Sequence, residues 1–286
     1  MKRLLLFALG LLTAVGYAAD KKIILIAGPR SHRPGDHEFR AGCILLNKWL
    51  NDVKGVKSEM HTNGWPKSND VFEGADAVFI YADGGGRHPA IRPDRAKLLN
   101  GLVAKGVGLG CGHYGVEVPK GDTGKTMQNW IGGYYEHRFS VNPMWAPDYQ
   151  KFPKHPISNG VKPFKVVDEW YFNMRFREDG VGKITPILTA KPGKDVRDGP
   201  YVYPRGPYKH IIDGEGRAET MMWAYERPNG GRGFGFTGGH KHMNWGNENY
   251  RKVVLNALLW IAKAEVPKGG VSSKVTEEEL KANWDR

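Results

Sequence analysis

The strongest chemical signal in this chain is a set of histidines that recur just past apolar runs. The most informative is His113, in Lys105-Gly106-Val107-Gly108-Leu109-Gly110-Cys111-Gly112-His113-Tyr114-Gly115. That stretch reads as a short buried strand breaking into a glycine-rich turn, where glycine lets the backbone bend sharply. Glycines 108, 110, 112 and 115 are expected to clear space around the imidazole. A side chain on such a turn emerges at the carboxyl end of a strand, the edge where open α/β sheets bind ligands. His32 and His37 follow the run Ile23–Gly28, His88 follows Ala77–Ala82, and His240 and His242 follow Gly233–Thr237. Six of the ten histidines therefore sit past strand ends, which predicts one convergent site.

Other residue types strengthen that expectation. The loop Gly28 to Glu38 carries Arg30, His32 and His37 ahead of a helix, and amides at such a helix start hold anions or polarised oxygens. It matches neither G-x-x-x-x-G-K nor G-x-G-x-x-G. Asp168 and Glu169 are adjacent carboxylates on a candidate strand, whose neighbouring side chains face opposite ways, so one of the two enters the site. Glu169 is taken as that one, although the sequence does not decide, and Arg175 or Arg177 could instead neutralise either carboxylate. After a Gly238-Gly239 turn, His240 and His242 point the same way if the chain stays extended. Paired imidazoles suit acid–base work near neutral pH or half of a metal site. The predicted catalytic set is His113, His240, His37 and Glu169. Arg30, His32, Asp168, Trp170, His242 and Trp245 are assigned to substrate. A divalent, zinc-like ion would be held by His37, His113 and His240. Trp130, Tyr134, Tyr135, Trp145, Tyr171 and Trp223 add rings on which the apolar face of a sugar could stack.

The elements that must position these residues alternate. Lys21 to Gly28 has the continuous apolar run of a central parallel strand. Asp36 is expected to cap a helix with Phe39, Cys43, Leu46 and Leu50 on one face. A strand at Val56–His61, a strand at Asp76–Ala82, a helix from Pro93 to Gly106 and a strand at Val107–Cys111 follow, as in a parallel sheet sandwiched by helices. Gly115 to Gln150 has weak periodicity and reads as a long functional loop or insertion. Further strands are expected at Lys162–Val167, Ile184–Thr189, Thr220–Glu226 and Gly233–Thr237. Asn247 caps a helix, and Thr276 with Glu279 forms a capping box for a short last one.

Composition narrows the setting. Lys2 and Arg3, the apolar run Leu4–Val15 and the small residues at Gly16 and Ala18 form a secretory leader, with cleavage expected after Ala18. This gives a leader over 1–18, one domain over 19–265, and a linker with a short helix over 266–286. No other stretch is long and apolar enough to span a bilayer. Losing Lys2 and Arg3 takes the formal charge from +12 to +10, without runs of like charge. A basic surface on a periplasmic or secreted protein follows, and nucleic acid is not an expected partner. Cys43 and Cys111 are too few for a disulfide scaffold, and the sequence leaves open whether they pair. Oligomer formation is likewise left open.

Taken together, His32 to Cys43, Gly110–Gly115, His155-Pro156-Ile157-Ser158-Asn159-Gly160, Asp168-Glu169-Trp170-Tyr171-Phe172 and Gly231–Trp245 resemble the trehalose-utilisation (ThuA-like) family, within the class I glutamine amidotransferase-like superfamily. The resemblance implies a flavodoxin-like three-layer α/β sandwich with a mostly parallel sheet. Amidotransferases of that superfamily carry a cysteine on a G-x-C-x-G elbow and a later His-x-Glu. Here His113 takes the elbow position, Cys111 lies two residues early, and the later pair is His240-x-His242. An imidazole is a poor substitute for a thiolate in amide hydrolysis, so a glutaminase is not expected. The family's association is with disaccharide use through 3-keto sugars. The expected function is that of an exported carbohydrate enzyme acting on an oxidised sugar or glycoside by proton abstraction, isomerisation, elimination or hydrolysis. Its partner is a sugar or sugar-derived small molecule. The rival readings are a non-catalytic sugar-binding protein using the same cleft, and a hydrolase of another ester or amide.

Overall fold

A computed structural model of the chain describes residues 20–285, so the expected leader and its cleavage point lie outside the described residues. Seven strands build the central sheet: β1 (Lys21–Ala27), β2 (Val56–His61), β3 (Ala77–Tyr81), β4 (Gly108–Gly112), β5 (Lys183–Ala190), β6 (Glu219–Glu226) and β7 (Arg232–Phe236). Their spatial order is β5-β6-β7-β4-β3-β1-β2. Strands β2, β1, β3, β4 and β7 run parallel; at one edge β6 pairs antiparallel to β7 and β5 antiparallel to β6, so β6 alone runs against the rest. Order reverses between β1 and β3, because β2 lies on one side of β1 and the rest of the sheet on the other. Such a switch point opens a crevice at the carboxyl edge.

Alternation along β1 divides the core. Ile23 and Leu25 face a cluster built with α1 (Phe39–Asn51) and α4 (Glu248–Ile261). Ile24 and Ile26 face the opposite cluster, which reaches Leu99 of α2 (Pro93–Ala104) and Met127 of α3 (Asp122–Ile131). Both faces are covered, which is why the central strands read as unbroken apolar runs. Cys43 lies on the first face and Cys111 on the second. Both are buried and free, which answers the open question of pairing.

Glycines 108, 110 and 112 serve the sheet rather than His113, contrary to expectation. A Cβ at Gly110 would sit 2.3 Å from the Phe234 ring, one at Gly112 2.8 Å from Phe79, and one at Gly108 2.2 Å from the carbonyl of Ile261. Their missing side chains let α4 and two phenyl rings lie close against β4.

Several local expectations change. Asp36 does not cap α1; its carboxylate takes Arg33 Nε at 2.6 Å and Lys241 Nζ at 2.7 Å, and the helix begins at Phe39. The stretch after His113 holds a full helix, α3, closed by Gly132 at φ 85°. It also supplies one side of three two-stranded ribbons, pairing Gly133–Tyr134 with Arg175–Phe176, Met144–Trp145 with Asp168–Glu169, and Asp148–Tyr149 with Phe164–Lys165. The strand expected over Lys162–Val167 shrinks to Phe164–Lys165. Asn247 does cap α4, accepting from the amides of Asn249 and Tyr250, and Thr276 and Glu279 form the capping box of α5 (Glu277–Lys281).

Candidate functional site

Sheet register aligns the strand ends that deliver the site. Ala27 pairs with Tyr81, Tyr81 with Gly112, and Gly112 with Phe236. The loops after β1, β3, β4 and β7 therefore leave from one row. His37 comes from the first loop, Asp83 from the second, His113 from the third and His240 from the fourth. Glu169 arrives from beyond the insertion, on the ribbon strand Asp168–Glu169 that pairs with Met144–Trp145.

His113 is fully buried at the start of a 3₁₀ turn, with φ 49°. A left-handed conformation is strained for a residue with a Cβ, and such strain concentrates at functional positions. His37 is also left-handed, at φ 52°. The loops of His37 and His240 are laced together: His37 N donates to His240 O at 2.9 Å, and His242 N donates to Gly35 O at 3.0 Å. Gly239 is required at this crossing, since with φ 121° its Cβ would lie 3.0 Å from the Cβ of His113.

The side chains converge closely. His37 Nε2 is 3.0 Å from His113 Nε2 and 2.9 Å from His240 Nδ1. Glu169 Oε2 lies 2.6 Å from His240 Nδ1, 3.5 Å from His113 Nε2 and 3.9 Å from His37 Nε2. These four residues offer ligand atoms within 4.8 Å of one another, and all four are buried. Burial alone would push the Glu169 carboxyl up, but hydrogen bonds with His113, His240 and His37 overturn that and hold it well below the usual carboxylate range. Tyr171 Oη is 3.3 Å from His113 Nε2. His32 is exposed and stacks on His37 with centroids 3.6 Å apart; partial burial and neighbouring His37 lower its pKa to about 4.

Above the cluster opens a cleft of about 430 Å³, with His32, Tyr114, Glu117, His137, Asn142 and Tyr203 among its walls. Glu117 is pushed up to about 7 by burial and by the negative charge of Glu169. Asn142 Nδ2 donates to Glu169 Oε1 at 2.8 Å, while its Oδ1 accepts from the amide of Tyr203.

The other assigned residues are placed elsewhere. Asp168 is fully buried beneath the His240 loop, not against a substrate. Its carboxylate accepts from the amides of Gly239 and Lys241, both at 2.9 Å, and from Tyr250 Oη at 2.7 Å. Adjacent residues on a strand point to opposite sides, so Glu169 enters the site while Asp168 clamps the loop. Arg175 pairs with Glu136 and Arg177 with Asp179, so neither neutralises this pair. Trp170 and Trp245 are core residues against Tyr250, with centroids 5.7 and 5.3 Å away. Of the rings expected for stacking, Trp130, Tyr134, Tyr135, Trp145 and Trp223 are likewise buried in the core, whereas Tyr171, though buried, borders the cleft. His242 does not share the side of His240: the chain turns into a 3₁₀ segment at His242–Gly246 and sends it toward Trp284. His88 is buried away from the cluster, on Gly115 O and Ala90 N. Arg30 is exposed on the β1 loop and does not line the cleft. Sequence reasoning missed Asp83, Glu117, Asn142 and Tyr203. Asp83 had a signal, since it directly follows a strand end; Asn142 and Tyr203 lie in irregular segments that offered none.

The fold agrees with the comparisons. The family model described as ThuA, trehalose utilisation, matches residues 37–261, so the chain belongs to the ThuA family and to carbohydrate metabolism in general. Its fold is the class I glutamine amidotransferase-like sandwich. A protein of Bacteroides uniformis described as ThuA-like superposes with a TM-score of 0.63 at 14% identity, over 88% of this chain and 95% of its own. Another ThuA-like protein, from Parabacteroides merdae, gives 0.55 at 15% identity, over 90% and 94%. A search of curated proteins returned no match.

Proposed function

We propose that the chain is an exported enzyme acting on an oxidised sugar, a 3-keto sugar or glycoside, by proton transfer beside the carbonyl. The convergence of His37, His240 and Glu169 at the floor of one cleft, with His113 buried against them, carries this reading. A carbonyl at C3 acidifies the C2–H bond. A base takes that proton, and the C–H electron pair moves into the carbonyl to give an enolate. The enolate regains a proton on the other face, giving an epimer. Alternatively the C3 carbonyl re-forms, a C1–C2 double bond forms, and the glycosidic C1–O bond breaks, the departing oxygen taking a proton. His37 and His240, whose rings border the cleft, suit exchange of the C2 proton with the sugar. Glu117, held near neutrality, suits the proton transfer.

Glutamine hydrolysis is disfavoured by Cys111, which is fully buried inside the sheet and whose thiol burial pushes far up. The binding-only reading loses its main support, because the tryptophans that would have lined a stacking groove are core residues. Export rests on the leader pattern from Lys2 to Ala18, and mass spectrometry of the envelope fraction tests it: a mature start at Ala19 is expected. For the activity, aglycone release from a chromogenic 3-keto glucoside is expected, with the unoxidised parent glucoside inert. Binding of the keto sugar with neither epimerisation nor release would leave the sugar-binding protein as the better reading.

A further inference from the structure

We infer that His37, His113, His240 and Glu169 form a resident binding site for one divalent first-row transition ion, zinc or a neighbour. The inference starts from where the protons must be. His113 Nδ1 lies 2.9 Å from the carbonyl oxygen of Thr237, which can only accept, so Nδ1 carries the hydrogen and Nε2 presents a lone pair to the cluster. The other imidazoles are arranged alike. His240 directs Nε2 toward Asp36 Oδ2 at 3.5 Å and Nδ1 inward. His37 directs Nδ1 toward Asp83 Oδ1 at 3.8 Å and Nε2 inward. Glu169 directs Oε1 to Asn142 and Oε2 inward. Three ring nitrogens and an anionic oxygen thus face one buried point, and a cation there satisfies all four.

The spacing fits. An ion with bonds of about 2.0–2.1 Å in tetrahedral geometry sets its ligand atoms roughly 3.3 Å apart. The inward-facing atoms here are separated by 2.6 to 3.9 Å where their contacts are resolved. Two ligands also have the outer partner typical of metal-bound residues, a backbone carbonyl for His113 and an amide for Glu169, while the outward nitrogens of His240 and His37 face carboxylates at 3.5 and 3.8 Å without a hydrogen bond. A three-nitrogen, one-oxygen set favours zinc and its neighbours over magnesium or calcium, which prefer all-oxygen sites. When bound, the ion would supply Lewis-acid polarisation of an oxygen in the cleft. Glu117 and His32 then remain on the wall for proton transfer.

The inference stands apart from the sugar reading, because metal uptake is read with no sugar present. The mature protein is stripped with a chelator, desalted and titrated with zinc sulfate by calorimetry, then with cobalt chloride by visible absorption. About one equivalent is expected, with an intense cobalt band of four- or five-coordinate type. His240→Ala should weaken zinc binding at least about 100-fold, and Asn142→Ala about 10-fold, in line with the usual cost of losing an outer partner. His88→Gln and His242→Phe should bind as the parent does. If His240→Ala does not fold, Glu169→Gln carries the same comparison, and if neither folds the parent titration decides. A folded parent that takes up no zinc overturns the inference. So does one equivalent bound equally well by His240→Ala or Glu169→Gln.

Discussion

His240 and His242 are two residues apart and both buried, yet they belong to different chemical worlds. His240 lies on the cleft floor among two imidazoles and a carboxylate, with its loop clamped from below by Asp168. His242 lies behind it, its ring edge-on to Trp284 at 6.2 Å, with neither ring nitrogen hydrogen-bonded among the described residues. His88 resembles His242: buried, with only backbone partners. Burial of an imidazole is therefore no sign of function by itself. What separates the two regions is whether the buried nitrogens face other titratable groups.

The largest break in that comparison should come at the elbow. His113→Ala is expected to lower turnover at least about 10³-fold, since positioned acid–base or electrostatic groups contribute on that scale. Cys111→Ser, two residues away, should leave turnover within about twofold while costing about 1–3 kcal/mol of stability, because a hydroxyl is placed in an apolar site. Steady-state kinetics and urea melts check both. Equal loss of activity in the two variants would restore a thiol-based site.

Next in size is Glu117. With its carboxyl near 7, a base role makes kcat/KM rise with pH through about 7. Glu117→Gln should remove that limb and cost roughly 10²-fold, the lower end for general-base catalysis. An unchanged pH profile in the variant would assign the limb elsewhere.

Asp168→Asn tests the clamp. It keeps the shape but weakens acceptance from Gly239, Lys241 and Tyr250, so the His240 loop should loosen. About a tenfold fall in kcat with KM nearly unchanged is expected, as for a modest misplacement of a reacting group. A rise in KM alone would mean that Asp168 acts on substrate after all.

The smallest effect on activity is expected at His242→Phe, whose value lies in stability. Burial lowers the pKa of His242, and that of His88, from 6.5 to about 4. Between those values the unfolded chain binds a proton that the folded chain refuses. Stability is therefore full above pH 6.5 and is lost as pH falls toward 4, by up to about 3 kcal/mol per histidine at 1.36 kcal/mol per unit. His242→Phe should flatten this acid limb and leave turnover unchanged. A steep limb persisting in the variant would place its origin in the carboxylates.

What the sequence made legible follows from how local each signal is. The parallel strands announce themselves by unbroken apolar runs, because both faces of the sheet are covered. Once those strands are placed, the common edge for His37, His113 and His240 follows from topology. Glu169 over Asp168 needed the register of a two-residue ribbon, which no local pattern encodes. The helix Asp122–Ile131 was hidden because its start, at Gly121, has no side-chain cap and its apolar residues, Met127, Trp130 and Ile131, all fall in its second half, too few to show a period. The tryptophans misled because aromatic content alone does not tell a stacking wall from a core. The fate of His242 turned on a 3₁₀ segment that begins at that residue.

The account rests most on proton transfer beside a sugar carbonyl at the His37–His113–His240–Glu169 cluster. The most direct test follows the C2 hydrogen of a methyl 3-keto glucoside by proton NMR in deuterium oxide. The parent protein should wash that hydrogen out well ahead of the uncatalysed rate, and His113→Ala should not. A C2 signal that decays no faster with the parent protein than without it would contradict the account, as would equal exchange by His113→Ala.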